Sequence, residues 1–178
     1  RAILALEETA CRPQEMRSLA WEMIEPKPGP AQIAVNLADG CHWFQLSDYK
    51  GKDRRKDSRE PRIIAITPRL GRMLDRLRRQ NPDERGVIFV GPNGRPWTPN
   101  AFRCCFRRMR QQLCEANKLD VKGFVPYTYR HTRATAIARD VKNPLLLKRW
   151  MGHAKIETTA KYCHLDEQDV LAIGRRRW

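Results

Sequence analysis

Residues 127 to 165 read YTYRHTRATAIARDVKNPLLLKRWMGHAKIETTAKYCHL, and three side chains in that run suit phosphate chemistry. The guanidinium of Arg130 is a planar, permanently charged fork that fits two phosphate oxygens at once. His153 can share a proton with a phosphate oxygen near neutral pH. Tyr162, nine residues beyond His153, carries a hydroxyl that can attack phosphorus when positioned and deprotonated.

The elements that must hold these groups are legible around them. Tyr127-Thr128-Tyr129 precede Arg130, so the arginine sits in the first turns of a helix, where free backbone N–H groups also favour a phosphate. His131 reads as a hydrogen-bonded structural residue. Ala134, Ala136, Ile137 and Ala138 form a packing face for close helix contact. Asn143 caps the next helix with Pro144 at its start. Leu145, Leu146 and Trp150 are expected to bury that helix. Gly152 ends it and sets His153 on a defined turn.

With these residues in place, the run resembles the C-terminal half of the tyrosine recombinases, the phage integrase family. The family pattern is His-x-x-Arg-His-Thr-x-Ala-Thr, then Leu-Gly-His, then Thr-Thr and a Tyr nine residues beyond the histidine. The matches are Arg130-His131-Thr132, Ala134-Thr135, Met151-Gly152-His153, Thr158-Thr159 and Tyr162, with His164 two residues on. Tyr127 stands where the first motif opens with His. Upstream, Thr9-Ala10-Cys11-Arg12-Pro13-Gln14-Glu15 is similar to the family's Thr-Gly-x-Arg-x-x-Glu, with Ala for Gly. The resemblance makes Arg12 the first phosphate clamp and Glu15 a buried partner for it. It also implies a catalytic Lys in a strand–turn–strand. Tyr49-Lys50-Gly51-Lys52 selects Lys50, whereas counting back from RIIAI selects Lys56; Lys50 is the favoured register.

What the resemblance implies is a site-specific recombinase or integrase that cuts one DNA strand without a metal or cofactor. Arg12 and Arg130 clamp the phosphate, His153 adds a hydrogen bond, Tyr162 forms a 3′-phosphotyrosyl bond, and Lys50 protonates the leaving oxygen. Residues 1–178 are then a catalytic domain, with the N-terminal domain that completes the DNA clamp absent. The implied partner is double-stranded DNA, bound as a tetramer by a chain that is monomeric when free. No membrane and no small-molecule cofactor is implied, and the location is cytoplasmic, at the nucleoid. The alternatives are a non-cutting duplex-DNA-binding module on the same fold and a type IB topoisomerase-like relaxase.

Composition agrees with a polyanionic partner. Lys plus Arg number 35 against 20 Asp plus Glu, a formal charge of +15, and the sequence pI is about 10.1. The basic residues interleave with apolar ones, unlike a disordered tail. The six cysteines show no Cys-x-x-Cys spacing and fall at apolar positions, so most are expected to be small buried hydrophobes in a reducing compartment.

The rest of the chain reads as α+β, mostly helical, with a small three-stranded antiparallel sheet. The stretch from Ala5 to Ile24 gives two helical pieces broken at Arg12-Pro13, with Pro13 at the first position of the second. AQIAVNL, CHWFQL and RIIAI read as strands, the first two joined at Asp39-Gly40. Thr67-Pro68 opens a helix with Leu70, Met73, Leu74 and Leu77 on its apolar face. Thr98-Pro99 opens the longest helix, to about Ala116. Phe102, Cys105, Phe106, Met109 and Leu113 are its expected core positions. Its arginines lie on the other faces, against DNA or in solvent. DEQDVLAIG reads as a last helix.

Overall fold

The computed structural model describes residues 1–26, 36–47, 61–80, 85–117 and 123–163. Helix α1 (Ala2–Thr9) ends at Ala10, which takes the left-handed conformation, φ 53°, and donates its N–H back to Leu6 O. This is where the family pattern has Gly, the residue that adopts that conformation without a Cβ penalty. Three residues later α2 (Pro13–Ser18) begins, with Arg12 as its N-cap and Pro13 in the first turn. The break expected at Arg12-Pro13 is therefore present.

The helical reading ran too far at its end. Leu19 and Ala20 are extended, Ala20 bridges to Val87, and Trp21–Met23 is a single 3-10 turn leading into strand β1 (Ile24–Glu25). The bond from Trp21 N–H to Gly86 O, outside any helix, explains the change. Strand β2 (Trp43–Leu46) and strand β3 (Arg62–Ala65) complete an antiparallel sheet in the order β1-β2-β3. Ile24 pairs with Phe44, and Phe44 with Ile64. The expected strand AQIAVNL lies mostly outside the described residues. Among those described, the strand on that side of β2 is β1.

Along β3 the side chains alternate: Arg62, Ile64 and Ile66 point inward, while Ile63 is exposed. The inner face of the sheet packs with Leu6, Met16, Leu19, Leu37, Leu70, Leu74 and Phe89 into the main core. Helix α3 (Pro68–Gln80) starts on a Thr67 cap, whose hydroxyl accepts from Leu70 N–H at 3.2 Å. Its Gly71 is required by contact, since a Cβ there would lie 2.1 Å from the Leu37 carbonyl oxygen.

Helix α4 (Pro99–Asn117) buries only Phe102 and Phe106. Cys105 and Leu113, expected in the core, are exposed, because the helix touches the core through one i, i+4 row and its second half runs beyond it. Cys104 lies on the same outer side and Cys41 is exposed, so Cys11 is the one buried cysteine among those described.

Helix α5 (Pro126–Val141) packs against α1, and α6 (Pro144–Met151) against α5 and β3. Ala10, Ala134, Ala138, Leu147 and Met151 form a second, smaller core, the alanines allowing close approach. Ala136 faces out. On α6 the inward pair is Leu147 and Met151, while Leu145 and Leu146 are 67% and 51% exposed. With the helix started at Asn143, a spacing of four places 147 and 151 on the face toward α5 and turns the two preceding leucines outward. Helix α7 (Ile156–Ala160) follows, and Tyr162 lies on the turn after it.

Candidate active site

Three segments distant in sequence meet at one turn, residues 151–153. Gly152 closes α6 in the left-handed conformation, φ 63°. From α5, the buried Arg130 reaches across. One terminal nitrogen donates to Ala10 O, and the other donates to Met151 O at 2.5 Å and lies 3.3 Å from His153 Nε2. From the start of α2, Arg12 donates to Gly152 O at 3.4 Å. The same guanidinium bonds Glu15 Oε1 at 2.7 Å, and Arg12 N–H donates to Glu15 Oε2 at 2.8 Å. The guanidiniums of Arg12 and Arg130 thus converge on the turn that carries His153.

A third arginine completes the arrangement, and the sequence reading missed it. Arg62 is 2% exposed. Its Nε donates to Trp150 O at 2.7 Å and a terminal nitrogen donates to Glu15 Oε2 at 2.8 Å; the other terminal nitrogen has no partner among the described residues. Gly152 makes room for it, because a Cβ there would lie 2.8 Å from Arg62 Cδ. The available signal was phase: Arg62 falls two residues before Ile64 in a strand whose even positions face inward. A buried arginine needs partners, and strand alternation alone required them to be sought.

Three guanidiniums share this neighbourhood with one carboxylate, which leaves it positive. The neighbours respond accordingly. Burial, then the charges of Arg12 and Arg62, bring Arg130 down to about 10. Burial by itself would raise Glu15, but Arg62 and the hydrogen bonds and charge of Arg12 hold it below the usual carboxylate range. His153 is pushed down to about 4 by burial and then by Arg130, Arg12 and Arg62, so it is neutral at physiological pH. Arg130 can only donate to Nε2, so the neutral ring carries its proton on Nδ1, which lies 3.0 Å from the buried Thr159 hydroxyl on α7. An anion placed here would relieve the excess positive charge.

Tyr162 stands beside this cluster. Its ring stacks near that of His153, centroids 6.2 Å apart and planes 15° from parallel. Its hydroxyl lies 2.7 Å from His131 Nδ1. Burial raises its pKa, and the charge of Arg130 offsets only part of that rise. His131, read from sequence as structural, therefore faces the Tyr162 oxygen. Tyr127 is 43% exposed, with its ring 6.3 Å from that of His131. Of the predicted site residues, Arg12, Arg130, His153 and Tyr162 are brought together, while Lys50 and its alternative Lys56 lie outside the described residues. A cleft of about 500 Å³ opens beside Arg12, lined also by Arg17, Arg103 and Tyr127.

Comparison with known proteins bears on the whole arrangement. Over 100 residues, 56% of this chain, it is 31% identical to tyrosine recombinase XerC of Pseudomonas aeruginosa, and it spans 31% of that relative's length. The structure of the Tn1549 transposon integrase in complex with transposon right end DNA superposes with a TM-score of 0.68 at 19% identity, covering 97% of this chain and 56% of that one. XerH recombinase bound to difH substrate gives a TM-score of 0.67 at 17% identity, covering 99% and 46%. The two structures establish a shared fold: mostly helical, with a three-stranded antiparallel sheet. The model of the phage integrase family matches residues 1–169. Because that match runs through nearly the whole chain, well beyond the motifs of its last third, the chain belongs to the phage integrase family.

Proposed function

We propose that this chain cuts and rejoins DNA strands as the catalytic domain of a site-specific recombinase or integrase. The observation that carries this reading is the convergence of Arg12 and Arg130 on the turn that bears His153, with Tyr162 alongside. Tyr162 Oη attacks the scissile phosphorus, a 3′-phosphotyrosyl bond forms, and the 5′ oxygen leaves. The bond energy of the phosphodiester is retained in the covalent link. A second 5′ hydroxyl can therefore reverse the step without a nucleotide cofactor.

The obstacle is charge, since a phosphodiester is already anionic and its transition state concentrates more charge on the nonbridging oxygens. Preorganised cations aimed at that position are the main lever, each such group contributing on the order of 10²-fold or more. Arg12 and Arg130 supply the clamp, and His153 supplies a hydrogen bond once the anion restores a proton to its Nε2. The departing alkoxide needs a proton, the role proposed for Lys50.

Duplex DNA is the proposed substrate, supported by the +15 charge, the arginine-lined cleft, and the DNA complexes of the Tn1549 integrase and XerH. Assembly as a tetramer on DNA from free monomers, and a place at the nucleoid, belong to the same proposal. Among the described residues no helix is long and apolar enough to cross a membrane.

The test is covalent capture. Nicked duplexes drawn from a randomised pool, whose cut strand cannot be religated, are incubated with the chain and resolved under denaturing conditions. A protein–DNA adduct that vanishes in Tyr162→Phe is the expected result. Salt-sensitive binding with no adduct in the unaltered chain would instead support a non-cutting module.

A further inference from the structure

Deprotonation of the attacking phenol is left open by the clamp alone. A free tyrosine titrates at about 10, and here burial holds Tyr162 higher still. Among the described residues few groups near its hydroxyl can take the proton. His153 is committed on both nitrogens, Nε2 to Arg130 and Nδ1 to Thr159. Tyr127 is a phenol itself, and its ring lies 6.3 Å from that of His131. His131 Nδ1 sits 2.7 Å from Tyr162 Oη, within reach for direct transfer. With the ring in its Nε2–H tautomer, the phenol donates and the imidazole accepts.

The geometry points to His131 as the proton acceptor for Tyr162, a catalytic residue additional to the clamp and resting on the function proposed above. As the bond from Tyr162 Oη to phosphorus forms and the bond to the 5′ oxygen breaks, the phenol's proton passes to His131 Nδ1. The leaving oxygen takes its proton from the general acid. In the reverse step the imidazolium returns the proton to the tyrosine. His131 follows Tyr127 by one helical turn, on the same face of α5. A base thus stands one turn along from the position where the family motif has His and this chain has Tyr127.

The pH behaviour follows from the groups facing His131. These are Tyr127 on α5, His153 on the turn after α6, and Tyr162 after α7. Between pH 5 and 8 imidazole is the group that changes charge. His153 is pushed down to about 4 and stays neutral there. An imidazole protonated on both nitrogens has no lone pair on Nδ1 with which to accept the phenol's proton.

The experiment uses duplexes captured covalently by the unaltered chain, with single-turnover adduct formation followed from pH 5 to 8. His131 is exposed, so replacing it leaves the core intact. His131→Gln keeps a hydrogen-bond acceptor for the phenol but cannot hold its proton. It should slow cleavage ~10²-fold at neutral pH and flatten the dependence of the rate on pH, with DNA affinity within about threefold. Added imidazole should restore part of the rate of His131→Ala, as it would not for a purely structural contact. Cleavage by His131→Gln at the unaltered rate, or faster, overturns the inference by making the contact a resting tether. Absence of any adduct from the unaltered chain overturns the proposed function and this inference with it.

Discussion

Arg130 and Tyr162 serve the same candidate site and are held by opposite means. Arg130 is 3% exposed, tied to carbonyls on two separate segments, and shares its surroundings with Arg12, Arg62 and Glu15. Tyr162 is half-buried, on a turn after a helix of five residues, with a side-chain hydrogen bond to the exposed His131. The contrast matches what the proposed function asks of each. Groups that stabilise charge help most when they need no rearrangement as the charge develops. A nucleophile that becomes bonded to DNA must approach, stay linked and withdraw, and a lightly anchored segment permits that. If this reading is right, disturbing the arginine end should lower the rate with the tyrosine still in place.

The largest such effect is expected for Arg130→Lys. A lysine keeps the charge but loses the planar fork that reaches Ala10 O and Met151 O from separate nitrogens while presenting further N–H groups to phosphate. Adduct formation should fall by ~10²- to 10³-fold. A loss of less than about tenfold would show that point charge suffices and that the rigid end of the comparison is unnecessary.

Next in size is Arg62→Met, which removes the link from β3 to Glu15 and to Trp150 O without touching DNA. Groups that orient a reacting shell typically contribute about 10- to 100-fold, and that range of slowing is expected, with binding unchanged. It should also move the acid stability of the fold. Glu15 is held below its ordinary value, so its contribution is present above the unfolded carboxylate range and is lost as pH falls through the folded value. Without Arg62 the folded value rises, and the melting temperature should begin to drop at higher pH than in the unaltered chain. Identical melting profiles against pH would remove Arg62 from the account.

How much of this could be read beforehand depended on the kind of signal. Caps, prolines and strand alternation act locally, so the break at Arg12-Pro13, the Thr67 and Asn143 caps and the strands CHWFQL and RIIAI were legible. Motif spacing named Arg12, Arg130, His153 and Tyr162. Burial was less legible, because an apolar residue on a helix is inside only if something covers it. Leu145, Leu146, Cys105 and Leu113 are left exposed among the described residues, and no local rule says so. Arg62 and His131 escaped for a related reason. Their importance lies in contacts with Glu15, Trp150 and Tyr162, which tertiary packing alone brings near.

A smaller effect is expected at Asn143, whose side chain accepts from Leu145 and Leu146 N–H at 3.0 and 3.1 Å. Asn143→Ala should lower stability by about 1 kcal/mol in urea unfolding. The adduct rate should hardly change, since the far end of α6 is fixed independently by Arg62 on Trp150 O and Arg130 on Met151 O. A rate loss comparable with Arg62→Met would mean that the turn at 151–153 is set by the helix and not by the arginines.

The smallest effect is expected at Tyr127, and it bears on the tyrosine end. Its side chain is exposed and it stands where the family motif opens with His. A phenol can donate a single hydrogen bond to a phosphate oxygen. Tyr127→Phe removes that single donor and keeps the ring beside His131. A change of no more than about threefold in adduct rate is expected, the size of a solvent-exposed hydrogen bond that water can replace. Were Tyr127→Phe as inactive as Tyr162→Phe, the tyrosine end would contain a second indispensable hydroxyl, and the division between a rigid clamp and a lightly held nucleophile would fail. Tyr127→His gives the sharper measurement. It places a second imidazole one turn from His131, so a gain in rate confined to pH above the imidazole range would show that proton acceptance, rather than phosphate binding, limits the chain as it stands.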